Sequence, residues 1–257
     1  MTFKIATWNV NSLRVRLPHL MSWQEGLHLD VIALQETKIV DADFPLELLQ
    51  TTDYAALFSG QKAYNGVAML SRKKMSDMIT DIPGFNDIQR RVLGMTVGDV
   101  RILNLYVPNG QSVTSEKYQY KLNWLENLKN FLQEELKKYP KIIILGDFNI
   151  APDDLDVHDP LAWEGQVLCS VPEREAFRHI LKLGFHDCFR MRTPTEQVFT
   201  WWDYRMNALK RNRGLRIDHI LASDAIASAC TNCFVDKTPR LWERPSDHAP
   251  VIAEFNF

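Results

Sequence analysis

No run in this chain approaches the length of a membrane-spanning segment, which excludes an integral membrane protein built from helices. Nor is any interior stretch polar enough, or rich enough in Gly, Pro and Ser, to read as a linker. The 257 residues, 46% of them hydrophobic, are therefore expected to bury one large core as a single domain, 1–257. Neither a Gly-x-Gly-x-x-Gly run nor a P-loop lysine is present, which argues against a nucleotide cofactor. An excess of positive charge is also missing. Net charge is −2 and the pI is near 6.4, so the molecule is not a wholly basic nucleic-acid binder, although a local basic face is still allowed. Cysteine is scarce: Cys169, Cys188, Cys230 and Cys233. Cys230-x-x-Cys233 is half of a zinc spacing, but no His stands near it at ligand distance, and buried reduced thiols are the expectation. A strand begins almost at once, leaving no room for a signal peptide, and the chain reads as a soluble cytoplasmic protein.

What the chain does have is a recurring pattern: apolar strands that end in polar side chains. Ile142-Ile143-Ile144-Leu145 reads as an inner strand, and after Gly146 come Asp147 and Asn149, two apart and so on one face if the chain stays extended. An Asx-turn leading into Ala151-Pro152 accounts for that stretch equally well on its own. The recurrence favours the functional reading. Phe3 to Asn11 is a strand closing on Asn9 and Asn11; Leu29 to Glu36 closes on Glu36, and Val100 to Val107 carries Tyr106 at its end. Further strands are expected at 54–58, 66–71, 75–79 and 92–97. Helices are expected over 17–27, over 115–138 with Leu122, Leu125, Leu128, Leu132 and Leu136 as the buried stripe, and over 172–184. From 151 to 171 the chain is expected to be irregular, a length that suits a functional loop. Leu215 to Leu221 is expected as a strand with Asp218 in its middle, and Asp247 and His248 sit in a turn before the closing strand. Two packed sheets with helices outside suit this pattern better than a doubly wound sheet.

Acids and amides without cysteine form a hard-oxygen set that suits Mg²⁺, with Mn²⁺ able to substitute. One imidazole beside a carboxylate adds a group titrating near neutral pH. Together they point to hydrolysis at phosphorus. Between Phe199 and Arg216 aromatic residues precede a basic run: Arg205, Lys210, Arg211, Arg213 and Arg216 stand in a stretch free of acids. This composition suits phosphate contact with base or sugar stacking, against the plainer alternative of a solvated loop over two core tryptophans.

Trp8-Asn9-Val10-Asn11, Leu34-Gln35-Glu36-Thr37-Lys38, Asn104 to Asn109, Gly146 to Pro152, Arg213 to Asp218 and Pro245 to Pro250 together resemble the exonuclease III family of AP endonucleases, in that family's order and over essentially the whole chain. The resemblance implies a four-layer α/β-sandwich, two packed mixed β-sheets flanked by helices. It implies a DNA repair phosphodiesterase that incises duplex DNA 5′ to abasic sites and processes 3′ ends, acting as a monomer on duplexes with abasic sites or blocked 3′ ends. The implied metal residues are Glu36, Asn9 and Asp247, and the implied catalytic residues are Tyr106, Asp147, Asn149, Asp218 and His248. DNA contacts would come from Asn11, Arg90, Arg91, Asn109, Arg205, Lys210 and Arg213, with Trp201, Leu215 and Ile217 walling a pocket for the abasic sugar. Two departures stand out. Ser12 occupies a place that is often Gly, where a small effect is expected. Leu215 stands where some relatives carry Trp, which leaves more space and less stacking and bears on the balance between abasic-site incision and 3′-end processing. A protein mainly trimming 3′ ends, and a family member that binds nucleic acid without cutting it, are the alternatives. A phosphodiesterase of lipid or inositol phosphates would need a small-ligand or membrane loop in place of 199–216.

Overall fold

The computed structural model describes residues 2–49 and 51–257. The strands of its first half are β1 (Thr2–Asn9), β2 (Val31–Gln35), β3 (Ala55–Ser59), β4 (Val67–Ser71), β5 (Met75–Ile79), β6 (Val92–Val97) and β7 (Val100–Tyr106). The second half adds β8 (Ile142–Asp147), β9 (Phe185–Asp187), β10 (Asp218–Ser223), β11 (Cys230–Val235) and β12 (Val251–Asn256). They form two mixed sheets, ordered β11-β12-β1-β2-β4-β3 and β5-β6-β7-β8-β10-β9. Only β1–β2 and β7–β8 pair in parallel among the described residues.

Three apolar layers hold the assembly together. Ile5, Val31, Ala33 and Met69 of the first sheet meet Met95, Ile102, Ile143, Leu145 and Ile220 of the second between the sheets. Successive residues of a strand face opposite sides, so Ile142 and Ile144 point outward. They are covered there by Trp124, Leu128, Phe131 and Leu132 of the helix Glu116–Lys138 and by Phe177 and Ile180 of the helix Val171–Leu181. On the far side, Ala6, Trp8, Ile32 and Leu34 pack under Leu13, Leu20 and Trp23 of the helix Leu13–Gln24. Helix, sheet, sheet, helix is the expected four-layer sandwich. Among the described residues no helix is long and apolar enough to cross a membrane.

Several local expectations need correction. The first helix starts at Leu13, not Leu17, runs through Pro18 and stops at Gln24, before the positive φ of Gly26. In the long helix Trp124 and Phe131 carry much of the buried stripe, while Leu122 and Leu136 are only half-buried. The irregular stretch after Ala151 contains a single-turn helix, Asp154–Asp156, and a short helix, Pro160–Trp163. Asp218 opens its strand rather than lying mid-strand, and Leu215 stands outside it in isolated bridges.

The register aligns the polar strand ends. Tyr106 pairs with Asp147, and Asp147 pairs with Asp218, so these three lie side by side across the second sheet. Asn9 pairs with Gln35 in the first sheet, which puts Glu36 just beyond the same rim. Gln35 and Asn104 stitch the sheets together there: Gln35 Nε2 donates to Asn104 Oδ1 at 2.7 Å, and Asn104 Nδ2 donates to the backbone of Leu34 and Ala68. Gly146 has φ 148°, and a Cβ there would stand 1.9 Å from the Leu105 carbonyl oxygen. Only glycine lets β8 approach β7 this closely.

Candidate active site

A cleft of about 320 Å³ opens at this rim, lined by Glu36, Tyr106, Asn109, Asp147, Asn149, Leu168, Trp201, Ile217, Asp247 and His248. Asp147 is at its centre and fully buried. Its Oδ1 accepts from the Asn149 N–H at 2.9 Å, and its Oδ2 accepts from Asn9 Nδ2 at 2.9 Å and Asn149 Nδ2 at 3.1 Å. Asn149 adopts φ 49°, a left-handed turn that Asn tolerates, and this folds its amide back onto Asp147. Burial pushes the Asp147 carboxyl up to about 7; His248 pulls the other way, and Asp218 adds to the rise.

His248 donates from Nδ1 to Asp218 Oδ2 at 2.9 Å, leaving Nε2 3.9 Å from Asp147 Oδ2. Burial disfavours its charge, but Asp218 and Asp147 outweigh that and raise its pKa to about 10. Both carboxylates thus favour the charged form of the ring. The backbone supports the pair: Thr200 Oγ1 accepts from the Ile217 and Asp218 N–H groups, and Ser246 Oγ accepts from the His248 N–H.

Glu36 accepts from Asn9 Nδ2, from the Tyr106 hydroxyl at 2.9 Å and from Lys38 Nζ at 2.9 Å. Burial raises its pKa, yet Lys38 and Asn9 more than offset this and hold it below the usual carboxylate value. Tyr106 is raised well above an ordinary phenol, first by burial and then by Glu36, so it remains a hydrogen-bond donor. Glu36, Asp147 and His248 each present one ligand atom, all within 4.8 Å of one another. Two carboxylates at that spacing fit a hard divalent cation. Asn9 spends its amide donors on Glu36 and Asp147 and its oxygen on the Asn11 N–H, so it acts as a bridge between the acids. Asp247 lines the cleft outside this cluster, accepting from Asn11 Nδ2 at 2.9 Å and Trp201 Nε1 at 3.0 Å.

The other expected contact residues surround the cleft unevenly. Asn109 is exposed and donates to Asn149 Oδ1. Arg91 is buried, stacked over the Tyr106 ring and donating to the Tyr106 carbonyl, while Arg90 is partly exposed beside Asp81. Both Arg91 and Asn109 border an adjoining cleft of about 750 Å³. Lys210 and Arg213 are exposed, and Arg205 is held by Asp203 at the surface. Arg216 leaves the basic run altogether, sitting in the core between Asp156 and Asp187. Trp201 and Ile217 line the cleft as expected. Leu215 does not: it is fully buried behind them, and Leu168 supplies the third apolar wall residue. Sequence reasoning also passed over Lys38, whose ammonium links Glu36 to Asn11 Oδ1; its place in the Glu36-Thr37-Lys38 motif was the available signal.

A sandwich of two sheets bearing carboxylates and a carboxylate-held histidine at one rim defines a hydrolase of phosphate esters. Residues 6–248 match the Endonuclease/Exonuclease/phosphatase family, and the chain belongs to it, in its exonuclease III-type AP endonuclease branch. It is 37% identical to exodeoxyribonuclease III of Haemophilus influenzae, over 98% of this chain and 99% of that protein. A 3′ phosphatase from Neisseria, NExo, solved with a product DNA hairpin, superposes with a TM-score of 0.98 at 44% identity, covering 99% of this chain and all of the other. An AP endonuclease from Archaeoglobus fulgidus superposes with a TM-score of 0.96 at 38% identity, again over 99% of this chain and all of the other.

Proposed function

We propose that this protein is a Mg²⁺-dependent DNA repair phosphodiesterase that incises duplex DNA 5′ to abasic sites and trims or deblocks 3′ ends. It would act as a cytoplasmic monomer, with Mn²⁺ able to replace Mg²⁺. The observation that carries this reading is a histidine held by Asp218, a buried Asp147 held by Asn9 and Asn149, and an apolar wall, all sharing one cleft.

Glu36 and Asp147 are the residues suited to hold the cation, with Asp247 close by. When bound, the cation neutralises phosphate oxygens and the departing oxygen. His248, oriented and kept charged by Asp218, meets the scissile phosphate through Nε2. Asp147 accepts a proton from water as the oxygen–phosphorus bond forms; the phosphorus–O3′ bond breaks and the departing O3′ takes a proton from solvent, leaving a 3′-hydroxyl and a 5′-deoxyribose phosphate. Asn149 holds Asp147, and Tyr106 donates into the cleft. Trp201, Ile217 and Leu168 form an apolar slot that admits a sugar without a base more readily than a full nucleotide. Asn11, Asn109, Arg90, Lys210 and Arg213 would follow the DNA backbone, and Arg91 and Arg205 would do so only by leaving Tyr106 and Asp203.

A second reading makes the protein mainly a 3′-end processor. It is favoured by the greater identity to NExo. One experiment separates the two. A duplex with a single abasic-site analogue, labelled at each end, is incubated with Mg²⁺ or EDTA beside an undamaged duplex. A metal-dependent cut 5′ to the lesion, lost in Asp147→Ala, supports repair incision. An intact abasic strand with shortened 3′ ends supports the second reading.

A further inference from the structure

Beneath the cleft, the helix Glu116–Lys138 carries a lysine with no accessible surface, Lys121. Its ammonium donates to the Asn149 carbonyl at 2.6 Å, to the Asn109 carbonyl at 3.2 Å and to Glu173 Oε1 at 2.5 Å. That occupies all three of its protons. Glu173, equally buried, accepts from the Leu168 N–H at 3.0 Å and the Ser170 N–H at 3.1 Å, as well as from the Ser170 hydroxyl. The Tyr118 hydroxyl, on the same helix as Lys121, reaches Ser170 Oγ at 2.6 Å.

The three segments gathered in this way lie outside the strands, and each contributes a lining residue: Asn109, Asn149 and Leu168. A buried ion pair is a poor source of stability, because desolvation costs several kcal/mol per ion and apolar replacements of similar volume are often neutral. Stability alone therefore does not account for a lysine at this place. Its other two bonds do, since they go to the main chain of residues that touch the cleft.

We propose that Lys121 is a positioning residue for the reaction, a buried clamp that fixes the Asn109 and Asn149 turns against each other so that the Asn149 amide stays on Asp147. This rests on the cleft being the reaction site. The Asn149 turn lies beyond β8; Val107 accepts from its side-chain amide and His219 meets the Ile150 carbonyl, but the Asn149 carbonyl itself is held by Lys121. Without the ammonium that carbonyl loses its partner, and Asp147 loses the geometry set by Asn149 Nδ2 and the Asn149 N–H.

The test is a double-mutant cycle, with kcat, KM and Tm measured for each form on the abasic duplex in Mg²⁺. Lys121→Met strands Glu173 and lowers both Tm and kcat. Lys121→Met/Glu173→Met removes both charges and brings Tm back towards wild type, while kcat stays down by about tenfold or more and KM stays within about threefold. Return of kcat together with Tm would overturn the proposal, because Lys121 would then be only a partner for Glu173. If the double variant does not fold, Lys121→Arg takes its place: its guanidinium keeps donors for both carbonyls, so kcat should stay about tenfold above that of Lys121→Met. An arginine variant with native Tm and equally low kcat would sink the idea. Amide hydrogen exchange reads the clamp without turnover, so an uncut duplex with the wild-type protein counts only against the functional reading. Faster exchange around 109–111 and 149–151 in the variants, with β7 and β8 unchanged, is expected, and unchanged exchange there overturns the clamp.

Discussion

His248 Nδ1 lies 2.9 Å from one oxygen of Asp218 and 3.1 Å from the other, so both lone-pair faces of that carboxylate converge on one ring nitrogen. The charge on the ring therefore depends on Asp218. Asp218→Asn should lower kcat by about 10- to 100-fold, with the fold retained. It should also change how stability varies with pH. A histidine whose folded pKa is raised contributes stability in full below its unfolded value and loses it as pH rises through the folded value. Wild-type Tm in EDTA should therefore fall between about pH 6.5 and 10, and that slope should flatten in the variant. Thermal scans across that range check it.

Asp147 works in the opposite sense to a paired surface acid. Its folded pKa is raised from 3.8 to about 7, so the folded protein binds the proton more tightly and loses stability as pH rises through that window. Asp147→Asn should abolish cutting. Its Tm, relative to wild type in EDTA, should climb from pH 4 to pH 7 and then level off. A difference that is flat with pH would contradict the shifted carboxyl.

The acid cluster at 4.8 Å predicts that divalent metal binds the folded state. Mg²⁺ or Mn²⁺ at a hundred times its Kd should stabilise the protein by about 2.7 kcal/mol. Glu36→Gln should remove most of that increment, and EDTA all of it. Melting curves with and without metal measure this directly.

Charge in the 205–216 segment divides into two kinds. Lys210→Ala and Arg213→Ala, at exposed positions, should each reduce the salt slope of DNA binding by about 1. Arg216→Ala should instead destabilise the fold by about 3–5 kcal/mol, since Asp156 and Asp187 would be left buried without their cation. Fluorescence titrations over a salt series and chemical denaturation distinguish the two.

Ser12 stands at φ 95°, where a side chain is strained, while its N–H donates to the Glu36 carbonyl at 2.7 Å. The expectation that serine costs little there overlooked this angle. Ser12→Gly should raise the unfolding free energy by about 1 kcal/mol, measurable by urea denaturation.

Much of the site was legible because each strand advertises its end: Ile142 to Leu145 could not carry Asp147 further into a core, nor could Val31 to Leu34 carry Glu36. Register then needed only the period of two to bring Tyr106, Asp147 and Asp218 to one rim. Leu215 and Leu168 were not separable in this way, because an apolar residue reads the same whether it lines a cleft or backs its wall. Arg216 was miscast for a related reason. Its partners Asp156 and Asp187 are remote in sequence, and nothing local distinguishes it from the solvated arginines beside it. Lys121 gives no local sign of its burial either, since its partner Glu173 stands 52 residues away.

Gly146 takes no part in the chemistry, yet it governs the gap between Tyr106 and Asp147. With a side chain's Cβ only 1.9 Å from the Leu105 oxygen, any other residue would wedge β7 from β8 one position short of both groups. The tolerance of the centre to mutation is thus narrowest at a residue that presents nothing to the substrate. Variation can be absorbed more easily among the groups proposed to meet DNA at the rim than at this one hydrogen atom behind them.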